Sequence, residues 1–439
     1  MTSHAKPFQT FIHCTSFSVL AMLAMSCYIL ADTFFIARGM GAQGLAALNI
    51  AIPAYNLIYG IGLMAGVGGS TCFSIFKSCR EERNADLMFT HSLYLGLGTS
   101  LLFFLAGIFL SQPITRLLGA DAAVFQMAHT YLQVLFLFSP AFILNAILLC
   151  YVRNAGNPRL AMLATAGGSL ANIILDYLFI FPCNMGIFGA ILATGLAPVI
   201  GILIMAPYLS NSSRGFRLIP ARPVLWPFLK STALGFPSLL IQVSSGIVMV
   251  LFNHIILSLD GNTGIAAYGI VANLSLVVIS VYTGIAQGIQ PLVSSAFGRR
   301  DLGSAMLYLR YGLTLMLLLA FLIYGSILLF ASPIAGAFNS GGDRRLQELA
   351  AEGLRLYFTS TAFVGFNLIL SMYFTSVDCP LPAHILSMLR GLVLIIPSAL
   401  LLSSLWGMRG VWLCVPLTEL ATAAAGAWLY LKHQKAGRP

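Results

Sequence analysis

Three of the thirteen acidic residues stand inside apolar runs instead of in loops or at helix ends: Asp32, Asp176 and Glu419. A carboxylate in hydrocarbon costs roughly 3 kcal/mol on insertion scales, so each marks a candidate functional site. Asp32 lies six residues before Arg38 and Asp176 five residues before Phe181, each near the same end of its run. Thr194 lies about seven residues into the run that follows. At 1.5 Å per residue all three fall about 8–10 Å below one membrane boundary. Tyr28 is one helical turn from Asp32, and Asn172 one turn from Asp176, each on its partner's face. Two carboxylates at one depth, with hydroxyl and amide neighbours, suit a proton or a small cation such as Na⁺. Desolvation and mutual repulsion favour the protonated form, whereas water or a cationic substrate favours the charged one. Ion and substrate occupancy are then reciprocally linked. Glu419, four residues after Val415, reads equally as a substrate contact or as a hydrogen bond to a neighbouring helix. Arg390 reads as an anchor near the cytoplasmic side or as a partner of a backbone carbonyl. Tyr55, Tyr59, Phe136, Phe138, Tyr282 and Phe366 are candidate cavity aromatics.

These residues need a membrane-embedded scaffold. The 439 residues are 59% hydrophobic and 8% charged, with mean hydropathy +0.90. Soluble domains carry about 25% charged residues, so this chain cannot cover a folded surface in water. A soluble enzyme, a nucleic-acid binder and a disordered scaffold are excluded. Twelve segments are long and apolar enough to span a bilayer: roughly 11–37, 45–76, 88–110, 127–152, 160–181, 187–209, 229–258, 264–297, 305–331, 349–376, 383–404 and 408–431. The Gly and Pro content of segments 2 and 8 predicts bends. Strand alternation is absent, so the bundle is helical.

The net charge of +10 reports orientation. Taking alternate sides of the membrane, one collects Lys6, Lys77, Arg80, Arg83, Arg153, Arg159, Arg214, Arg217, Arg222, Lys230, Arg299, Arg300, Arg310, Lys432, Lys435 and Arg438. The other collects Arg38, Arg116, Arg344, Arg345, Arg355 and Arg409. Sixteen against six places both termini in the cytoplasm. Met1–Gln9 is short and polar, and the run from Phe11 to Ala37 is too long for the core of a cleavable signal. The eight cysteines form no C-x-x-C pair and read as small core residues, without metal or disulfide.

The chain also repeats itself. At an offset of 220, Ile36, Gly41, Gly44, Ala46 and Ala47 fall on Ile256, Gly261, Gly264, Ala266 and Ala267. At 221–222, Asn145, Pro158, Gly186 and Gly189 fall on Asn367, Pro380, Gly407 and Gly410. Six segments per repeat make the halves parallel, an arrangement used by secondary transporters. The expected organisation is an N-lobe over 1–210, a basic, Pro-rich cytoplasmic linker over 211–228, and a C-lobe over 229–439, with a cleft between the lobes. No G-x-x-x-x-G-K-[ST] motif is present, so the energy for any pumping comes from an ion gradient. The loop Lys77-Ser-Cys-Arg-Glu-Glu-Arg-Asn lacks the pattern of the major facilitator superfamily.

Motifs narrow the family. Asp32-Thr-Phe-Phe-Ile-Ala-Arg-Gly-Met-Gly resembles D-x-x-[FI]-[IV]-[GA]-R-x-x-G, and Ala46 through Pro53 resembles the A-A-x-x-x-x-x-P that follows it. Arg153-Asn-Ala-Gly-Asn-Pro, Asn172-Ile-Ile-Leu-Asp176 and Gly186-Ile-Phe-Gly-Ala-Ile-Leu-Ala-Thr194-Gly complete a set similar to the multidrug and toxic compound extrusion (MATE) transporters, and the similarity runs through both halves. The resemblance implies two six-helix lobes, alternating access, and antiport of organic cations or other drugs and toxins against H⁺ or Na⁺. It also implies a cofactor-free, inner-membrane protein acting as a monomer without nucleic acid. Carried over from the DinF-like branch, the ion-coupling residues are Asp32, Tyr28, Asp176, Asn172 and Thr194, with Asn145. The NorM-like branch uses acidic residues in helices 7 and 10, where this chain has Gln242, Ser244, Ser245 and Asn367. A C-lobe cation site is therefore not expected, and Gln242 and Asn367 join Glu419, Tyr55 and Tyr282 as candidate substrate contacts. Pro416-x-x-Glu419 and Arg390 resemble a MepA-like subgroup. Some DinF-like members bend helix 1 at a proline, but none lies between Pro7 and Pro53 here. The rival readings are a lipid-linked oligosaccharide flippase of the same superfamily and a non-transporting membrane protein.

Overall fold

The structure, a computed structural model, describes residues 7–210, 215–339 and 343–435. Lys6, Arg214 and Arg438 of the charge tally, and the first six residues of the leader reading, lie outside the described residues. All regular structure within them is helical.

Nine continuous helices, and one pair bent by 50°, are long and apolar enough to cross a membrane. Two of the nine run for 72 and 74 residues, about 110 Å each at 1.5 Å per residue and far beyond one bilayer. Each is folded back at a glycine. Gly41 has φ 63° and ψ −151°, and Gly261 has φ 59° and ψ −147°. A side chain strongly disfavours that region, and both turns leave open space where a Cβ would stand. Counting each long helix twice gives twelve spans: α1 (7–40), α2 (42–78), α3 (Glu82–Phe109), α4 (Phe125–Leu137 with Ser139–Asn154), α5 (Pro158–Ile180), α6 (Gly186–Leu209), α7 (225–259), α8 (262–298), α9 (Leu302–Phe338), α10 (Arg344–Tyr357 continued by Thr361–Ser376), α11 (Pro380–Met388 through Ile395–Trp406) and α12 (Met408–Lys435). The bends expected in the second and eighth segments do not take the form of breaks. Within the two long helices only Gly41, Asp260 and Gly261 leave helical dihedrals, although Pro53 and Pro291 lie inside them. The sharp bend is instead in α4 at Phe138, and α11 carries a π-turn over Leu389–Val393. Helix α1 runs unbroken to its glycine.

Positive-φ positions obey the repeat: Gly41, Arg80 and Gly186 recur as Gly261, Arg300 and Gly407. The two larger buried cores among the described residues follow the same division. One is built from residues between Ile36 and Met205, the other from residues between Phe252 and Cys414 with Phe11 added.

The halves meet along α1, α2, α7 and α8, and the seam is made by small residues. A methyl on Gly68 would strike the Ser231 carbonyl, and one on Gly235 the Met64 carbonyl. The repeat supplies the matching pair: a methyl on Gly288 would lie 2.6 Å from Thr15 Cα. Ser78 and Gly298, themselves repeat equivalents, touch each other, with a methyl on Gly298 2.9 Å from Ser78 Cβ. Hydrogen bonds follow this seam from Ser78–Ser295 (2.9 Å) up to Ser26–Ser280 (2.6 Å) and Asn56–Ser245 (3.3 Å). From those mid-height pairs to the turns at Gly41 and Gly261, no hydrogen bond joins the halves among the described residues. The seam is closed at the end that carries the linker.

Candidate functional site

Asp32 on α1 and Asp176 on α5 are buried side by side, with their carboxyl groups within hydrogen-bonding reach of each other. The sequence brings them there through the paired packing of α1 and α5: Gly39 abuts Ile180 so closely that a methyl on Gly39 would lie 2.5 Å from Ile180 Cγ2. Asn172, one turn below, positions Asp176. With its amide turned to satisfy both ends, Asn172 Nδ2 donates to Asp176 Oδ2 (3.1 Å) and Oδ1 accepts from the Thr194 N–H (3.2 Å). Thr194 anchors its own hydroxyl on the Ala190 carbonyl at 3.1 Å. Asp32 Oδ1 and Asp176 Oδ1 have no hydrogen-bond partner, and no cation pairs with either carboxylate among the described residues.

Beneath the carboxyl pair lies a cavity of about 60 Å³ bounded by α1, α2, α4, α5 and α6. Tyr28, Tyr55, Tyr59, Asn145 and Thr194 line it together with Ser169 and Pro198. Tyr28 does not bond Asp32; its hydroxyl meets that of Tyr55 at 3.1 Å, and Tyr55 stacks on Tyr59 at 5.9 Å. Asn145 packs against Gly201, with its Oδ1 buried and unpartnered. The volume holds a few water-sized occupants and places them near the unsatisfied Asn145 Oδ1.

One member of this group escaped sequence reasoning. Tyr131 on α4 is buried near both carboxyls and near Thr194. Its run offers only a tyrosine among apolar residues, so nothing local separates it from a lipid-facing ring.

The second-half candidates gather elsewhere. Arg390 does not serve as a cytoplasmic-side anchor or bond a carbonyl; its Nη2 pairs with Glu419 Oε1 at 2.7 Å, both side chains being about nine-tenths buried. The reason is depth. Arg390 lies ten residues into α11, about 15 Å from its start, where only an internal anion can compensate the charge. Asn367 Nδ2 donates to Glu419 Oε2 at 2.7 Å and to the Glu419 carbonyl at 2.9 Å. Tyr282 is fully buried in the second-half core, packed against Gly365, and its hydroxyl has no partner. Gln242 sits on the seam against Gly60. Phe136 stacks on Phe103, Phe138 covers Gly195, and Phe366 packs onto the second core. No group of three or more His, Cys, Asp or Glu residues is arranged to hold a metal ion among the described residues.

The MatE family model matches residues 18–178 and 234–401. The multidrug export protein MepA of Staphylococcus saprophyticus is 25% identical over 433 residues, covering 98% of this chain and 94% of the relative. A solved MOP superfamily transporter from Pyrococcus furiosus, described as having a binding pocket of reversed polarity, shares the fold with a TM-score of 0.91 at 23% identity, over 99% of this chain and 98% of that one. A MATE protein solved in complex with MaL6 gives a TM-score of 0.92 at 23% identity, over the same shares.

Proposed function

This chain belongs to the MatE family of multi-pass membrane transporters, and from that premise we propose that it exports small organic compounds, cationic ones among them, in exchange for H⁺ or Na⁺. The observation that carries the reading is the Asp32–Asp176 pair, buried with no paired cation among the described residues, next to a cavity lined by its neighbours Tyr28 and Thr194. Two carboxyls within hydrogen-bonding reach of each other repel unless a proton or a cation stands between them. The pair therefore binds the coupling ion, Asn172 and Thr194 orient it, and Tyr28, Tyr55 and Asn145 shape the space below.

Both termini are cytoplasmic in this reading and the membrane is the inner one, supported by the excess of Lys and Arg on the linker side. Residues 1–210 and 229–439 form the two lobes. The seam, closed at the linker end, is then an outward-facing state. Ion uptake from outside and substrate release are linked through the same lobe, and closure of the outer end carries the ion inward. A flippase would need free cations open to a diphosphate, whereas the mid-membrane Arg390 is neutralised by Glu419 and Arg153 is buried in the closed end of the seam.

The test is ethidium efflux from proteoliposomes, with a pH gradient and a Na⁺ gradient imposed separately, for the wild type and Asp32→Asn. Efflux driven by one gradient and lost in the variant is expected. Efflux that persists in Asp32→Asn overturns the site.

A further inference from the structure

Arg153, one of the cations on the linker side, is only 6% exposed, at the inner end of α4. It is a buried cation without an anion. None of the ion pairs among the described residues includes it, and the residues outside that set contain no Asp or Glu. Its Nη1 donates to Gln287 Oε1 across the seam at 2.5 Å, its Nη2 makes a weak bond to Cys150 Sγ at 3.7 Å, and its Nε has no partner. Neutral acceptors satisfy hydrogen bonds and leave the charge uncompensated, which is costly in a low-dielectric interior.

Next to the guanidinium is a second cavity, of about 20 Å³, whose lining includes the polar groups of Arg153, Gln287, Ser18, Thr165, Tyr59 and Cys150. Ser18 is 3% exposed, and its hydroxyl has no partner. A guanidinium N–H and a hydroxyl, both unused and both at one small cavity, are donors awaiting an acceptor. The space exceeds the 10–15 Å³ that one water needs and is too small for a phosphate ester or an organic acid. We propose that this cavity is a binding site for a small monovalent inorganic anion of halide size, held by Arg153 with Ser18 and Gln287. Ser18 and Arg153 come from the first half and Gln287 from the second, so the site is complete only while the seam is closed at this end.

The test uses the purified full-length protein in detergent, melted in sodium chloride, sodium bromide and sodium gluconate over a concentration series at fixed ionic strength. A ligand that binds only the folded state raises Tm as its concentration passes Kd. The expected result is a saturable rise in chloride and bromide relative to gluconate, absent in Arg153→Gln. Ser18→Val keeps the arginine, fills the cavity and removes one donor, so it too abolishes the halide shift, and it keeps the test open should Arg153→Gln fail to fold. Bromide-soaked crystals then give an anomalous peak between Arg153 and Ser18. Equal melting of the wild type in halide and gluconate overturns the site. So does a halide shift that survives Ser18→Val, because the anion then acts elsewhere or as a general salt effect.

Discussion

The two halves share a backbone and have moved their chemistry apart. In the first half, Asp32 and Asp176 stand together with no paired cation among the described residues, and a cavity opens below them. In the second, the repeat puts Phe252 at the place of Asp32, and Pro397 or Ser398 at that of Asp176. The polar residues stand one layer away instead: Asn367 at the place of Asn145, Glu419 at that of Pro198, and Arg390 at that of Gly168 or Ser169. All four of those first-half residues line the 60 Å³ cavity. What is open space in one half is filled by a hydrogen-bonded ion pair in the other. A site that must release its ion keeps its charges unpaired and a void at hand, whereas a site that must stay put neutralises them. On the function proposed above, the contrast would make the first half the working lobe and the second the rigid one.

The largest effect should separate the halves outright. Asp32→Asn removes the coupling carboxylate and leaves no opposite charge stranded, so the protein should fold normally and lose at least nine-tenths of its gradient-driven efflux. Proteoliposome flux and a melting curve on the same preparation check both parts. Glu419→Ala should do the reverse. Removing one member of a buried pair strands the other, at about 3–5 kcal/mol, so this variant should melt far earlier than the wild type. The double variant Arg390→Met/Glu419→Leu should regain most of that loss, because a buried pair is replaceable by well-packed apolar groups. A double variant that melts normally yet transports nothing would place Glu419 in the substrate path and break the comparison.

A finer test uses one hydroxyl from each half. Tyr131 lies buried near the carboxyls and Thr194, whereas the Tyr282 hydroxyl sits in the second-half core without a partner. Tyr131→Phe deletes a polar group near the carboxyls, and an effect of about 1 kcal/mol on the ion site should slow efflux about fivefold with little change in melting. Tyr282→Phe removes a buried unsatisfied group and should leave efflux unchanged and raise the melting temperature. Equal losses of efflux from both would mean that the second half also contacts the moving ion.

Much of this was legible in the sequence because hydrocarbon is an unforgiving solvent. Apolar run lengths gave the twelve spans, and Asp32, Asp176 and Glu419 announced themselves by cost alone. Depth arithmetic placed Asp32 and Asp176 at one level, and helical spacing put Asn172 on the face of Asp176. What stayed hidden depends on contacts between segments far apart in the chain. Nothing local says that Tyr131 faces the carboxyls, that Arg390 meets Glu419 from a π-turn, or that Arg153 turns inward from the end of α4. A cation near a helix end is ordinarily solvated, so nothing in the sequence marks Arg153 as buried. Only the packing of α1 and α8 around it makes it a buried charge.

The smallest predicted difference lies at the membrane surface, where the repeat again sets two acids in equivalent positions. Asp301 begins α9 and Glu81 begins α3, at the offset of 220. Asp301 Oδ1 accepts from the Ser304 N–H at 3.0 Å and caps its helix, whereas Glu81 makes no capping bond and accepts only from the Asn84 side chain at 2.7 Å. The shorter side chain reaches the first-turn N–H groups, and the extra methylene of Glu carries its carboxyl past them. The bonds from Ser304 hold the Asp301 carboxyl below the usual carboxylate range. A depressed value means that the unfolded state takes up the proton first, so the cap's contribution is full above the unfolded value of about 3.9 and fades as pH falls through the lower folded one. Asp301→Ala should therefore lower stability by about 0.5 kcal/mol at pH 7, and by less at pH 3, while Glu81→Ala should change melting at neither pH. An equal loss from the two at pH 7 would mean that the solvated helix starts of the two halves are equivalent, and that their divergence is confined to the membrane interior.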